Sequence, residues 1–442
     1  MTASASISTR VLPGRHPDDG PIAALAVPAL GALAADPLYS LVDTAFVGRL
    51  GVAQLGGLAV GVAAFTASFW IFSFLAYGVT PRVARALGAG RDTDAARVGV
   101  QALWLAVLLG GMVTIVGVAF SGTVVGAFGG SDEVARYAEP YLRIRVLAAV
   151  PVLIAQLGQG YLRGAHDTRT PTYIVVAGAA ANVVVGYLLI FTAGWGIEGA
   201  AWAVVICQSA AAAAFIVVLR RRMARVSWRP DPSEMRSLLR VGGELAIRTG
   251  SLLAGLTIAT SIAARIGTTT VAAWQIVMQL FLLLSLTLDS VAIAAQALVA
   301  TELGAGNPGR AGALARRLIA LGVYVGVGLG ILLALLSSPL AALFSESEQV
   351  RSLAAGLLLW LALVQPLGAI AFTLDGILIG ASDTGFLALA MAGATIAFVG
   401  LMLVLYGSHS GVVTLIVPMT VWMALRAATT LIRFRGGRWA AA

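Results

Sequence analysis

The sequence lacks lysine altogether, and Cys207 is its single cysteine. One thiol cannot form an intramolecular disulfide, and no metal-ligand spacing surrounds it. Charged residues are scarce as well: they make up 11% of the 442 residues, against about 25% in a soluble domain. Nucleotide-binding loops, zinc-protease helices and catalytic triads are also missing. We therefore expect no enzyme activity, no metal site and no cofactor.

Apolar residues fill the sequence instead, at 59% of the chain, and mean hydropathy is +0.92. Runs of about 20 apolar residues recur, and each is long enough to cross a bilayer. Segments of this length satisfy their own backbone hydrogen bonds as helices, so we predict an all-α polytopic membrane protein. The twelve predicted transmembrane helices are 22–48, 56–79, 98–120, 136–160, 171–193, 197–219, 240–265, 271–298, 312–336, 350–378, 386–406 and 410–432.

The arginines predict the orientation of these spans. All 29 basic residues are arginine, and the formal net charge is +9. Most lie in the loops between alternate spans or in the end turns that are counted with those loops; only Arg248 and Arg426 are counted within spans. Because cytoplasmic loops are enriched in basic residues, we expect a multi-pass protein of the cell (plasma) membrane with both termini cytoplasmic. No separate basic module is present, so we expect no nucleic-acid partner.

The chain repeats itself at an offset of 216 residues. The sequence LGAG at 87–90 recurs at 303–306, and GAHDT at 164–168 matches GASDT at 380–384. Each half holds six predicted spans, an even number, so the two halves insert in the same orientation as parallel repeats. The predicted organisation is a disordered cytoplasmic tail (1–20), an N-lobe (21–225), a cytoplasmic linker (226–239), a C-lobe (240–435) and a second cytoplasmic tail (436–442).

Residues 28–51, PALGALAADPLYSLVDTAFVGRLG, closely resemble the first helix of multidrug and toxic compound extrusion (MATE) transporters of the DinF-type branch. Residues 84–91, 161–171, 243–249 and 374–384 fit that branch too. The resemblance implies a V-shaped pair of six-helix lobes. It also implies export of amphipathic, often cationic compounds by alternating access, coupled to inward flow of H⁺ or Na⁺. We expect a monomer in the lipid bilayer, with small-molecule substrates.

Two aspartates of the first span are the leading candidates for cation coupling. Asp36 and Asp43 are seven residues apart and share one helix face. Ionisable groups inside a membrane are costly, and a buried carboxylate can exchange protons near neutral pH. The alternative is that either residue caps a broken helix or pairs with a neighbour. By resemblance, Asp43 matches the first-helix aspartate of the family, and Asn182 matches a polar position of the N-lobe cavity.

The identity of the coupling ion depends on two further positions. Gly186 stands where family members with a Na⁺ site carry a carboxylate, and Val204 stands where a hydroxyl is expected. Na⁺ prefers several hard oxygen ligands, so we predict coupling to H⁺. Coupling to Na⁺ is the alternative.

In the C-lobe, Asp375, Asp289 and Arg248 form a possible cation or substrate site. Asp375 is alternatively a charge partner of Arg248, and Arg248 can extend to the cytoplasmic surface. Four amides at membrane depth are predicted either to line the cavity or to join helices by hydrogen bonds; they are Gln156, Gln159, Gln275 and Gln279. Tyr39 is predicted to line the cavity as an aromatic contact for a cationic substrate, and packing against its neighbours is the alternative.

A lipid or lipid-linked saccharide flippase of the same superfamily is the alternative function. Such a protein needs arginines in its cavity to hold phosphate. Only Arg248 and Arg426 are predicted within spans, and acidic residues outnumber them, which favours export of hydrophobic or cationic compounds.

Overall fold

The computed structural model describes residues 16–69, 72, 74–128, 132–224, 226–408 and 411–441. Every regular element among these residues is helical. The first half contains α1 (Asp19–Gly48), α2 (Val52–Phe69), α3 (Phe74–Gly88), α4 (Asp92–Ala119), α5 (Ser121–Ala127), α6 (Asp132–Arg145), α7 (Ala149–Gly164), α8 (Arg169–Tyr187) and α9 (Gly196–Arg222). The second half contains α10 (Pro232–Ile266), α11 (Thr268–Gly304), α12 (Pro308–Phe344), α13 (Glu348–Gly380), α14 (Thr384–Gly407) and α15 (Val413–Arg435).

Eleven helical segments of the described chain are long and apolar enough to cross a membrane. The shorter apolar helix Val52–Ala67 overlaps the remaining predicted span, 56–79. Another span, Asp132–Gly164, joins α6 and α7 through a 3₁₀ turn at Val146–Ala148. The predicted all-α fold of twelve spans is confirmed.

Several helices extend beyond their predicted ends, because polar terminal turns continue past the apolar layer that hydropathy detects. The clearest case is α10, which begins at Pro232 rather than at residue 240. The Asp231 carboxylate caps this start by accepting hydrogen bonds of 2.9 Å from the Ser233 amide and 2.6 Å from the Ser233 hydroxyl. The predicted linker, 226–239, is therefore helical in its second part.

The predicted disordered tail, 1–20, is partly wrong. Residues 1–15 lie outside the described residues, but residues 16–20 are held in place. Asp18 forms an ion pair with Arg310. Asp19 accepts two hydrogen bonds of 2.8 Å from the Arg317 guanidinium. The first helix is thus fixed at its start to α12, in the other half of the chain.

The two halves meet where the repeated LGAG sequences cross. A Cβ atom added at Gly88 would lie 2.1 Å from the Thr301 carbonyl oxygen, and one added at Gly304 would lie 2.1 Å from the Arg85 carbonyl oxygen. Both pairs are related by the offset of 216, so α3 and α11 cross backbone to backbone around a pseudo-twofold axis. Only glycine permits this approach.

Hydrogen bonds from both halves reinforce this crossing. The Arg85 guanidinium donates to the Ala381 carbonyl (2.9 Å), and the equivalent residue of the other half, Thr301, bonds to His166 Nε2 (2.8 Å). We call this end of the molecule the arginine-rich side, because the helix ends there carry Arg82, Arg85, Arg222, Arg310 and Arg433.

We expect the contact at His166 to weaken in acid. Burial lowers the pKa of the His166 imidazole, despite nearby Glu302, so the closed contact favours the neutral ring. Its contribution is complete above the ordinary histidine pKa of about 6.5 and declines as pH falls below it, because separation of the halves then takes up a proton. Double electron–electron resonance across the arginine-rich side, at pH 7.5 and pH 5.5, measures this separation. A shift of equal size in His166→Gln would contradict the assignment.

Candidate functional site

A cavity of about 70 Å³ lies inside the first half, between α1, α7, α8 and α9. Asp36 is exposed to it. The polar side chains that line it are Asp36, Tyr39, Gln156, Gln159, Asn182 and Gln208. Three of the five predicted cavity-lining residues therefore surround this space. Gln208 was missed, and its signal in the sequence is an amide within the apolar run of α9.

Asp43 lies two helical turns beyond Asp36 and is 6% exposed. It faces α8, since a Cβ atom added at Gly186 would lie 3.8 Å from Asp43 Oδ1 and 3.8 Å from the Ala203 Cβ of α9. The position where relatives with a Na⁺ site are expected to carry a carboxylate is thus directly beside Asp43, and it contributes no oxygen here.

Three buried acceptor atoms of this region have no hydrogen-bond donor among the described residues: Asp43 Oδ1, Asn182 Oδ1 and Gln156 Oε1. Buried polar atoms are bonded in the large majority of cases, so unpartnered acceptors require a donor from outside the protein. A proton, a small cation, water or the polar hydrogen of a substrate meets that need. This region therefore offers buried oxygen acceptors that the described residues leave without a donor.

Arg145, at the end of α6, is the main functional candidate that the sequence did not predict. Its guanidinium lies 5.1 Å from the centre of the Phe65 ring and hydrogen-bonds to Tyr39. It also interacts electrostatically with Asp36 and Asp43. A fixed positive charge thus accompanies the two acids of α1.

Arg163 adds a second buried cation. It lies on α7, donates to Gln159 Oε1 (3.0 Å), and interacts electrostatically with Asp36 and with Asp289 of the other half. The prediction that only Arg248 and Arg426 lie within spans is wrong, because Arg145 and Arg163 belong to the single span Asp132–Gly164. The predicted span 136–160 ends before Arg163. It includes Arg145, which was nevertheless counted with the outer loop because charged residues usually mark the ends of an apolar run.

Asp375, in the second half, is bound by two guanidinium groups. It is 3% exposed and accepts hydrogen bonds from Arg248 (2.5 Å) and Arg426 (3.2 Å). Arg426 also lies 5.3 Å from the Phe372 ring centre and 5.4 Å from that of Trp422. This geometry favours the charge-partner alternative over a cation site at Asp375, because two fixed cations already neutralise the carboxylate.

The other predicted residues lie on α11. Asp289 is half-buried and interacts electrostatically with Arg248, Arg426 and Arg163. Gln275 and Gln279 are exposed on one face, away from the residues that line the N-lobe cavity, and neither bonds to a described residue. Their role in substrate binding stays a prediction.

We expect Asp375→Asn to destabilise the protein by about 3–5 kcal/mol, since it leaves two buried guanidinium groups without their shared anion. Thermal unfolding in detergent measures the change. Glu348→Gln is the matched control, because Glu348 is 81% exposed in its pair with Arg351 and contributes little there. Equal melting temperatures for the two variants would rule out a structural role for the buried pairs.

Comparison with known proteins agrees with this architecture. The MatE family model matches residues 28–188 and 252–406. The chain is 34% identical over 420 residues to Protein DETOXIFICATION 44, chloroplastic, of Arabidopsis thaliana, covering 92% of this chain and 80% of that protein. It is 29% identical over 434 residues to DNA damage-inducible protein F of Escherichia coli K12, covering 95% of this chain and 93% of that protein.

Solved structures share the fold. A MOP superfamily transporter from Pyrococcus furiosus Vc1 superposes with a TM-score of 0.87 at 20% identity, covering 95% of this chain and 96% of that one. A MATE structure in the bent conformation superposes with a TM-score of 0.87 at 20% identity, covering 97% of this chain and 98% of that one. The family model and the identity to curated relatives together show that this chain belongs to the MATE family of multidrug efflux transporters.

Proposed function

We propose that this protein is a proton-coupled antiporter that exports hydrophobic or cationic small organic compounds from the cell by alternating access. In this proposal the arginine-rich side is cytoplasmic and both termini lie there. One observation carries the proposal: Asp43 is a buried carboxylate with an unpartnered oxygen, close to a polar cavity in the first half.

The ligand chemistry favours H⁺ over Na⁺ as the coupling ion. Gly186, which lies beside Asp43, and Val204 on α9 offer no side-chain oxygen, whereas Na⁺ requires several hard oxygen ligands. A proton needs only the carboxylate. The available energy is sufficient, because 100 mV of membrane potential contributes about 2.3 kcal/mol per charge.

The buried arginines support the exporter over the flippase. The sequence predicts few of them within spans, and in the structure those present already have partners. Arg248 and Arg426 share Asp375, and Arg163 donates to Gln159, so these guanidinium groups already have acceptors inside the protein. A phosphate headgroup would have to displace them. Scrambling of a fluorescent phospholipid in vesicles tests the alternative directly.

The function is tested in proteoliposomes that contain a cationic dye. A pH gradient should drive dye transport, and an equal Na⁺ gradient at constant pH should not. Transport that follows Na⁺ and ignores the pH gradient would reject proton coupling while keeping the exporter. No transport with either gradient, together with lipid scrambling, would reject the exporter.

A further inference from the structure

A groove of about 590 Å³ opens on the arginine-rich side, outside the cavity that Asp36 lines, which is the transport cavity of the proposed function. It lies between α12, α15 and a 3₁₀ turn, Arg438–Ala441, at the end of the chain. Arg316 and Arg435 line it together with apolar side chains, which are Ile319, Leu431, Phe434, Trp439 and Ala440.

The 3₁₀ turn that forms one wall of the groove is packed against the end of α15. Trp439 is 3% exposed, and its indole N–H donates to the Phe434 carbonyl (2.9 Å). The two rings stack with their centres 5.3 Å apart. The aromatic wall of the groove is therefore built into the end of α15.

On α12, Arg316 differs from the arginines beside it. Arg310 pairs with Asp18, and Arg317 pairs with Asp19. Arg316 is exposed and has no hydrogen bond or ion pair to any residue that the structure describes.

The same contrast occurs on α15. Arg433 binds Asp383 through two hydrogen bonds of 2.6 and 3.1 Å, whereas the exposed Arg435 has no partner in the described part of the chain. Among these helix-end arginines, the unpaired ones are those that line the groove. Its rim thus carries two positive charges that no carboxylate of the described chain neutralises.

The groove changes from basic to apolar along the membrane normal. Here α12 begins and α15 ends, so Ile319 and Leu431 lie about one turn deeper than Arg316 and Arg435. A free anion would use the arginines and leave the apolar wall unexplained. A phospholipid matches both parts, since its phosphate sits at the interface and its acyl chain extends inward.

We propose that this groove binds an anionic phospholipid, with its phosphate between Arg316 and Arg435 and one acyl chain along Ile319, Leu431 and Phe434. Basic pockets between transmembrane helices on the cytoplasmic side are typical of such sites. The site is separate from the transport cavity, so it stands or falls independently of the proposed function.

Native mass spectrometry of the full-length protein tests the site by comparing phosphatidylglycerol with phosphatidylcholine of identical acyl chains. We expect selective retention of phosphatidylglycerol, and about 30-fold weaker binding in the Arg316→Gln/Arg435→Gln double variant. The matched control, Arg220→Gln/Arg221→Gln, removes the same charge from exposed arginines at the end of α9 and should bind like the wild type.

Three results would overturn the proposal. These are equal retention of the two lipids, an equal loss of phosphatidylglycerol in both double variants, and displacement of the lipid by an equimolar amount of free glycerol phosphate. The last result would show that the groove binds an anion and does not use its apolar wall.

Discussion

Asp43→Asn is expected to abolish proton-driven accumulation of substrate. With one proton exchanged per substrate molecule, a gradient of one pH unit supplies about 1.4 kcal/mol, which sustains about a tenfold concentration ratio. Asparagine has nearly the shape of aspartate but cannot exchange a proton at any relevant pH. The tenfold ratio should therefore disappear, while downhill equilibration of the same dye continues. Dye accumulation in proteoliposomes against an imposed pH gradient measures both.

Two further variants define the specificity of this effect. Asp132→Asn, an exposed acid at the start of α6, should leave accumulation unchanged. Asp36→Asn shows whether the acid that is exposed to the cavity shares the coupling role. Undiminished accumulation in Asp43→Asn would exclude Asp43 as the coupling group.

Gly304→Ala is expected to shift the protein away from the state that is closed on the arginine-rich side. The added methyl would lie 2.1 Å from the Arg85 carbonyl oxygen, and backbone cannot move aside as a flexible side chain does. Overpacking of this kind costs about 1–3 kcal/mol, which changes the ratio of closed to open protein by about 5–150-fold. By the internal symmetry, Gly88→Ala should have the same effect.

Spin labels measure this shift. With Cys207→Ser as background, labels at Arg220→Cys and Gly309→Cys report the distance between the halves on the arginine-rich side. Gly304→Ala should enlarge the population at longer distance. Gly243→Ala is the matched control, because an added Cβ there meets no atom within 4 Å and should stabilise α10 slightly. The same distance distribution in both glycine variants would contradict a closed state that depends on the glycine crossing.

The spans and the repeat were predictable because each produces a pattern that is visible directly along the sequence. Apolar runs give the helices, and the offset of 216 gives the pseudo-twofold axis that places Gly88 against Thr301 and Gly304 against Arg85. The order of residues 16–20 was not predictable in this way, because it depends on contacts with residues far away in the sequence. Their order depends on Arg310 and Arg317, which are nearly 300 positions away in sequence and give no local signal.

The site was predictable only in part. Asp36, Asn182 and Gln156 are conspicuous as polar groups in apolar helices, and the structure places all three at one cavity. Arg163 was missed because it follows the end of the predicted span 136–160, and Arg145 was missed because it was counted with the outer loop although it lies within that span. Only the fold shows that Arg145 and Arg163 interact with acids of other helices, and that Arg426 joins Arg248 at Asp375.

The most direct test of coupling through Asp43 is the number of protons that purified protein releases when it binds substrate in weakly buffered detergent solution. If proton and substrate compete through this carboxylate, the wild type releases close to one proton per bound substrate molecule, and Asp43→Asn binds substrate with no release. Equal proton release by the wild type and by Asp43→Asn would contradict coupling through Asp43. Substrate binding by the wild type without any proton release would contradict it as well.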